Sequence, residues 1–99
     1  MARRTVNVRL AEAFELMARY RTAFGLEHHA FAYLDAAETL RKLDRPVSKV
    51  PIVRRLPGFG PTLAGHTYEF LKTGKILELE RLKELLPEVF LAKLEAARK

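Results

Sequence analysis

The chain has no cysteine and no tryptophan. Without cysteine there are no disulfides and no thiolate metal sites, which fits a reducing compartment. Glycine and proline are sparse, five of each in 99 residues, and no low-complexity tract or internal repeat stands out. No apolar run approaches a membrane span, and the opening MARRTVNVRL lacks an apolar stretch of signal-peptide length. Nor does any stretch alternate with period two for long enough to make a convincing strand. These absences leave one soluble helical domain over residues 1–99, expected in the cytoplasm, with a real but modest core. Negative charge is also in short supply. Residues 1–55 carry 11 Lys and Arg against 6 Asp and Glu, and residues 56–99 carry 7 against 6, for a formal charge of +6. A basic excess of this kind fits a polyanionic partner, nucleic acid first among them, or equally a solvated surface that happens to be basic.

What is present repeats with helical period nearly everywhere. Asn7 can cap a helix through Phe24, with Leu10, Phe14, Met17 and Phe24 on one stripe and Ala13 and Tyr20 beside it. Gly25 is placed to stop it. A second helix is predicted from Glu27 to Leu43, buried along Ala30, Tyr33, Ala37 and Leu40. Asp44-Arg45-Pro46 ends it. Ser48 can cap a short third helix through Arg55, with Pro51 in its first turn. A fourth begins at Pro61 or Thr62, turns Leu63, Thr67, Phe70 and Leu71 inward, and stops at Gly74. A fifth spans Ile76 to Leu85 with Leu79, Leu82 and Leu86 as its apolar line. Pro87 opens a last one carrying Phe90, Leu94 and Ala97. The expected architecture is all-α, an orthogonal bundle of five to six short helices.

The densest signal is RRLPGFGPTLAGHTYEFLKTGK, Arg54 to Lys75. Gly58 and Gly60 can take positive φ values that other residues adopt only at a cost. Bare of side chains, the turn exposes its backbone N–H groups, and the next helix adds its own free N–H groups and positive dipole end. Together they make a notch for phosphate. Leu56 and Leu63 anchor the flanking helices, and Ala64 lets them approach. This is a helix-hairpin-helix pattern, which holds a phosphate backbone and carries no base readout. Arg54 and Arg55, just before the turn, read either as phosphate contacts or as cations suited to a helix end.

The order of these pieces resembles the amino-terminal domain of family X DNA polymerases, the DNA polymerase beta type, over residues 10–83. Besides LPGFG, the stretch EFLKTGKILELERL and the second helix HHAFAYLDAAETLRKL, with His28 followed by Tyr33, Ala36 and Ala37, carry the likeness. The resemblance implies a domain that binds DNA on the 5′-phosphate side of a gap. It assigns His28 and Tyr33 to a base-stacking or phosphate-side pocket and Arg54 to a basic position before the hairpin. It also implies a Na+ or K+ ion held by the backbone carbonyls of Arg54, Leu56 and Phe59 and bridging to a DNA phosphate; no other cofactor is implied. The departures bear on chemistry. The family's Schiff-base lysine is His66 here, and its pocket lysines are Thr62 and His29. An imidazole cannot form the iminium that a primary amine supplies. The nucleotidyl-transfer domain of the family is absent from this sequence.

Three readings follow. The first is a non-enzymatic, sequence-independent DNA-binding module of repair or replication, using Gly58, Phe59, Gly60, Thr62, Arg54, Arg55, His28, His29, Tyr33 and His66. The second is a residual abasic-site lyase using another amine, such as Lys72, Lys75 or the N-terminus. The third is a module that docks on a polymerase or repair protein through Val89–Leu94. His28, His29 and His66 match no zinc spacing. Adjacent helical residues point about 100° apart, so His28 and His29 are poorly placed to share an ion. Tyr20, Phe24, Phe31, Tyr33 and Phe70 read as core, while Phe59 at the hairpin tip reads as partly exposed. The leading MARR reads as a loose basic arm.

Overall fold

The structure, a computed structural model, describes residues 2–85, with side chains described over residues 6–84. Among these are four α-helices and two short 3-10 turns, with no strand. The helices are α1 (Ala2–Ala23), α2 (Glu27–Lys42), α3 (Pro61–Thr73) and α4 (Leu77–Leu85), and the 3-10 turns span Val47–Lys49 and Val53–Arg55. The all-α class is therefore as expected, with fewer full helices. The expected last helix, with Phe90 and Leu94, lies outside the described residues.

α1 and α2 form an antiparallel pair joined by a three-residue turn. Leu10, Phe14 and Met17 of α1 are buried against the Ala30, Tyr33, Ala36, Ala37 and Leu40 line of α2. Small alanines on both helices, Ala11 and Ala18 included, permit this approach, and each large side chain so buried contributes about 1.5–3 kcal/mol. Arg41 grips Glu15 bidentately at 2.8 and 3.0 Å across the pair. This pair is exposed, so it orients more than it stabilises.

Several expectations fail for identifiable reasons. α1 starts at Ala2, so Ala2–Arg4 belong to the helix and not to a loose arm. Asn7 is consequently no cap but a buried side chain inside α1. Its amide donates to the Arg45 carbonyl and accepts from the Val47 N–H, both at 2.8 Å, pinning the α2–α3 connection to α1. The helix expected over Ser48–Arg55 is broken in the middle. Val50 sits at φ −82°, ψ 120°, because proline pushes the residue before it out of the helical region. Phe24 is 41% and Phe31 65% exposed, since no described element covers those faces of α1 and α2.

α3 packs inward through Leu63, Ala64, Thr67 and Phe70. The buried Thr67 hydroxyl donates to the Leu63 carbonyl at 2.8 Å, so no orphan is left in the core. Gly74 ends α3 in the left-handed region, φ 82°, its N–H returned to the Phe70 carbonyl. Ile76 and Leu79 then bury the start of α4. One Glu69 carboxylate oxygen accepts the Leu77 N–H at 2.7 Å and supplies the cap that α4 lacks locally.

Candidate nucleic-acid interface

The hairpin is built by anchoring one side chain and exposing the backbone around it. Phe59 is only 6% exposed, against the expectation of a partly exposed tip. Its ring lies 6.1 Å from that of Phe14, which in turn meets Tyr33 edge-on at 5.8 Å. The three rings tie the hairpin to α1 and α2. With the tip side chain buried, the residues around it, Pro57, Gly58, Gly60 and Pro61, are all exposed.

Gly58 has φ +84°, as a tight turn requires. A Cβ there would stand 3.4 Å from the backbone and Cβ of Asp35, so the turn also lies directly on α2. Thr39, one turn further along α2, donates its hydroxyl to the Pro57 carbonyl at 2.7 Å. Neither Asp35 nor Thr39 was singled out from the sequence. Gly60 differs from expectation, because its φ of −100° is open to any residue. It is the N-cap of α3, and a Cβ on it would meet nothing within 4 Å.

The hydrogen-bond accounting of the turn is uneven. The Phe59 N–H is spent on the Leu56 carbonyl at 3.0 Å, and the Ala64 N–H on the Gly60 carbonyl at 2.9 Å. The N–H groups of Gly58, Gly60, Thr62 and Leu63 have no partner among the described residues, and α3 has no side-chain cap. Four unpartnered donors thus lie within six residues, across the turn and the positive end of a thirteen-residue helix. The carbonyls of Arg54 and Phe59 accept nothing from described residues, and that of Leu56, which accepts the Phe59 N–H, has a lone pair to spare. Arg54 and Arg55 are exposed on the second 3-10 turn, and no described carboxylate pairs with either.

A second group lies one turn into α3. His66 stacks on Tyr33 at 6.3 Å and 29°. The Arg21 guanidinium sits 6.0 Å over the same ring and pairs with Glu78 of α4. Burial pushes the Tyr33 phenol up, and the Glu78 charge pushes the same way, with Arg21 opposing. The His66 side chain is 13% exposed, with Nδ1 3.7 Å from Glu69. Both its Nε2 and the Nε of Arg21 are buried without a partner. His28 and His29 stand at the first turn of α2, exposed, touching each other at 4.2 Å. Seven residues separate His28 from Asp35, about 10 Å along α2. The structure therefore brings together the hairpin residues and, separately, Tyr33 with His66. No hydrogen bond, ion pair or ring contact joins His28 or His29 to the hairpin. Among the described residues no His, Cys, Asp and Glu group could hold a metal ion, and no helix is long and apolar enough to cross a membrane.

With this geometry in hand, the class is clear: the helix-hairpin-helix domain family model matches residues 5–76, and the chain belongs to that family. DNA polymerase lambda of Rattus norvegicus, a family X polymerase, is 26% identical over 81 residues. The match covers 82% of this chain and only 14% of that polymerase. It agrees with a polymerase-beta-like amino-terminal domain. No solved structure matches.

Proposed function

We propose that the chain holds the phosphate backbone of DNA, without regard to base sequence, as a module of DNA repair or replication. One observation carries this reading: four backbone N–H groups, of Gly58, Gly60, Thr62 and Leu63, lie unpaired at the mouth of the hairpin and the head of α3. Donors left open on a surface are suited to an anion, and successive phosphate oxygens match a row of them. Gly60 supports it, because neither its φ nor its surroundings demand glycine, while close approach of a strand does. Arg54 and Arg55 add charge, and the open carbonyls of Arg54 and Phe59, with the second lone pair of Leu56, suit a Na+ or K+ ion shared with a phosphate.

The chemistry available beyond binding is narrow. His66 cannot form an iminium. Lys72 lies ten residues beyond Thr62, about 15 Å down α3 from the hairpin. Borohydride trapping on an abasic substrate is expected to give no covalent adduct.

The test is fluorescence anisotropy with single-stranded, duplex and 5′-phosphorylated gapped DNA of two unrelated sequences. Affinity should be equal for the two sequences and fall steeply with salt, by about 0.7–0.9 log unit per log unit of salt for each phosphate neutralised. Binding that ignores salt, or that follows sequence, refutes the proposal. Replacing K+ by tetramethylammonium at constant ionic strength should weaken binding if the carbonyl site is used.

A further inference from the structure

The broken helix before the hairpin leaves a surface that the fold does not use. Val50 and Ile52 are both extended, at φ −82°, ψ 120° and φ −130°, ψ 94°. Their neighbours Val47 and Val53 fill the core, whereas Ile52 is left 45% exposed. Around it lies a shallow recess of about 260 Å³, lined by Arg45, Val50, Pro51, Ile52, Arg55 and Leu56. From Arg45 to Leu56 there are four basic residues and no acidic one. Lys49, Arg54 and Arg55 have no described ion-pair partner, and Arg45 has only Asp44, at 3.7 Å on an exposed surface. The segment is held in place, because Asn7 bonds the Arg45 carbonyl and the Val47 N–H.

We propose that this recess is a subsite for an unpaired nucleotide of the strand whose backbone the hairpin holds. The base or sugar lies on Pro51 and Ile52, and the flanking phosphates meet Arg45 and Arg55. The proposal rests on the phosphate-binding reading of the hairpin and extends it to single-stranded DNA. Three features favour this occupant. The recess is apolar at its floor and cationic at its rim, the complement of a base between two phosphates. It is continuous with the hairpin, since Leu56 both lines it and closes the turn through its carbonyl to Phe59. Paired bases are stacked inside a duplex and cannot present a face to it. An acidic peptide with one apolar side chain would satisfy the same lining and, through its carboxylates, the free N–H groups, but it predicts no difference between a blunt and an extended duplex, which is what the experiment reads.

The experiment compares a blunt duplex with the same duplex bearing a single-stranded extension, by anisotropy at two salt concentrations, for the full chain and two variants. Ile52→Ser removes the apolar floor at an exposed position, and an unchanged melting curve verifies its fold. It should weaken binding of the extended duplex by roughly two- to five-fold, less than loss of an aromatic stacking platform would, and leave the blunt duplex unchanged. Arg45→Gln with Arg55→Gln should lower the salt slope on the extension by about 1.4, two phosphates at roughly 0.7 each. If the unmodified protein binds both DNAs and Ile52→Ser changes neither, or weakens both alike, the recess is overturned and the hairpin reading stands. If the unmodified protein binds neither DNA, both are overturned.

Discussion

Gly65→Ala should raise stability and lower DNA affinity at once. Gly65 sits inside α3, exposed, and a Cβ built on it meets nothing within 4 Å. It has no left-handed φ to protect. Glycine inside a helix is worse than alanine by roughly 0.5–1 kcal/mol, through backbone entropy alone. The substitution should therefore stabilise by about 0.5–1 kcal/mol, which in a domain of this size raises the melting midpoint by about 2–8 °C. Yet Gly65 lies one turn beyond Pro61 and three residues beyond Thr62, on the part of α3 that follows the hairpin mouth. If a strand lies close against that surface, a methyl group there holds it off, and affinity should fall by roughly 3–10-fold, a cost of about 0.6–1.4 kcal/mol. Gly60→Ser is the companion. Serine is at least as good an N-cap as glycine, so stability should hold within about 0.5 kcal/mol, while DNA binding again weakens. Thermal circular dichroism and fluorescence anisotropy read the two quantities separately. Unchanged affinity in both variants refutes close approach of DNA to α3. A lower midpoint for Gly65→Ala refutes the entropic account.

Three further outcomes follow from the packing. Phe59→Ala should destabilise by about 3–5 kcal/mol in urea unfolding, because it removes the ring that seats the hairpin on Phe14; a cost under 1 kcal/mol would mean that the tip is not an anchor. Asn7→Ala should cost about 1–3 kcal/mol, since it strands the buried Val47 N–H and releases the part-buried Arg45 carbonyl, and proteolysis between Asp44 and Ile52 should accelerate. The Tyr33 pKa is raised above its usual 10.0 by burial and by Glu78. The folded protein thus holds that proton longer than the unfolded chain does. The stability this provides is complete below pH 10 and is lost as pH rises through the folded-state value. In a phenolate absorbance titration Tyr33→Phe should remove the late phase, and it should flatten the alkaline fall in stability relative to the unmodified protein.

The buried lines of α2 and α3 were legible because helical period is a local property. Ala30, Tyr33, Ala37 and Leu40, then Leu63, Thr67 and Phe70, are buried as their spacing requires. What failed depended on distant partners or on competition between local effects. Asn7 has the chemistry of a cap, but the groups it satisfies lie 38 and 40 residues away. Pro51 is acceptable in a first helical turn, yet its restriction of Val50 outweighed that. Phe24 and Phe31 have the size of core residues, and nothing local says which face the other elements will leave uncovered. At the site, the glycine turn and the free N–H groups were readable because they belong to the backbone. Tyr33 and His66 were both named, though not their stacking. Asp35 and Thr39, which seat the turn on α2, look like ordinary helical surface residues; the one available hint was Thr39 flanking the buried Ala36–Leu40 line.

The inward-facing Phe59 has a consequence for how this surface is mapped. Since the tip side chain works as a rivet and the outward surface is main chain, most side-chain replacements cannot remove the donors. An alanine scan of the hairpin would then report on folding at Phe59, Leu63 and the left-handed Gly58, on steric approach at Gly60, and on charge at Arg54 and Arg55, but never on the donors themselves. A map without the donors in it is what contact through main chain looks like. Backbone-altering changes, such as an amide-to-ester exchange at Leu63 or a one-residue insertion after Gly58, are the perturbations that would reveal it.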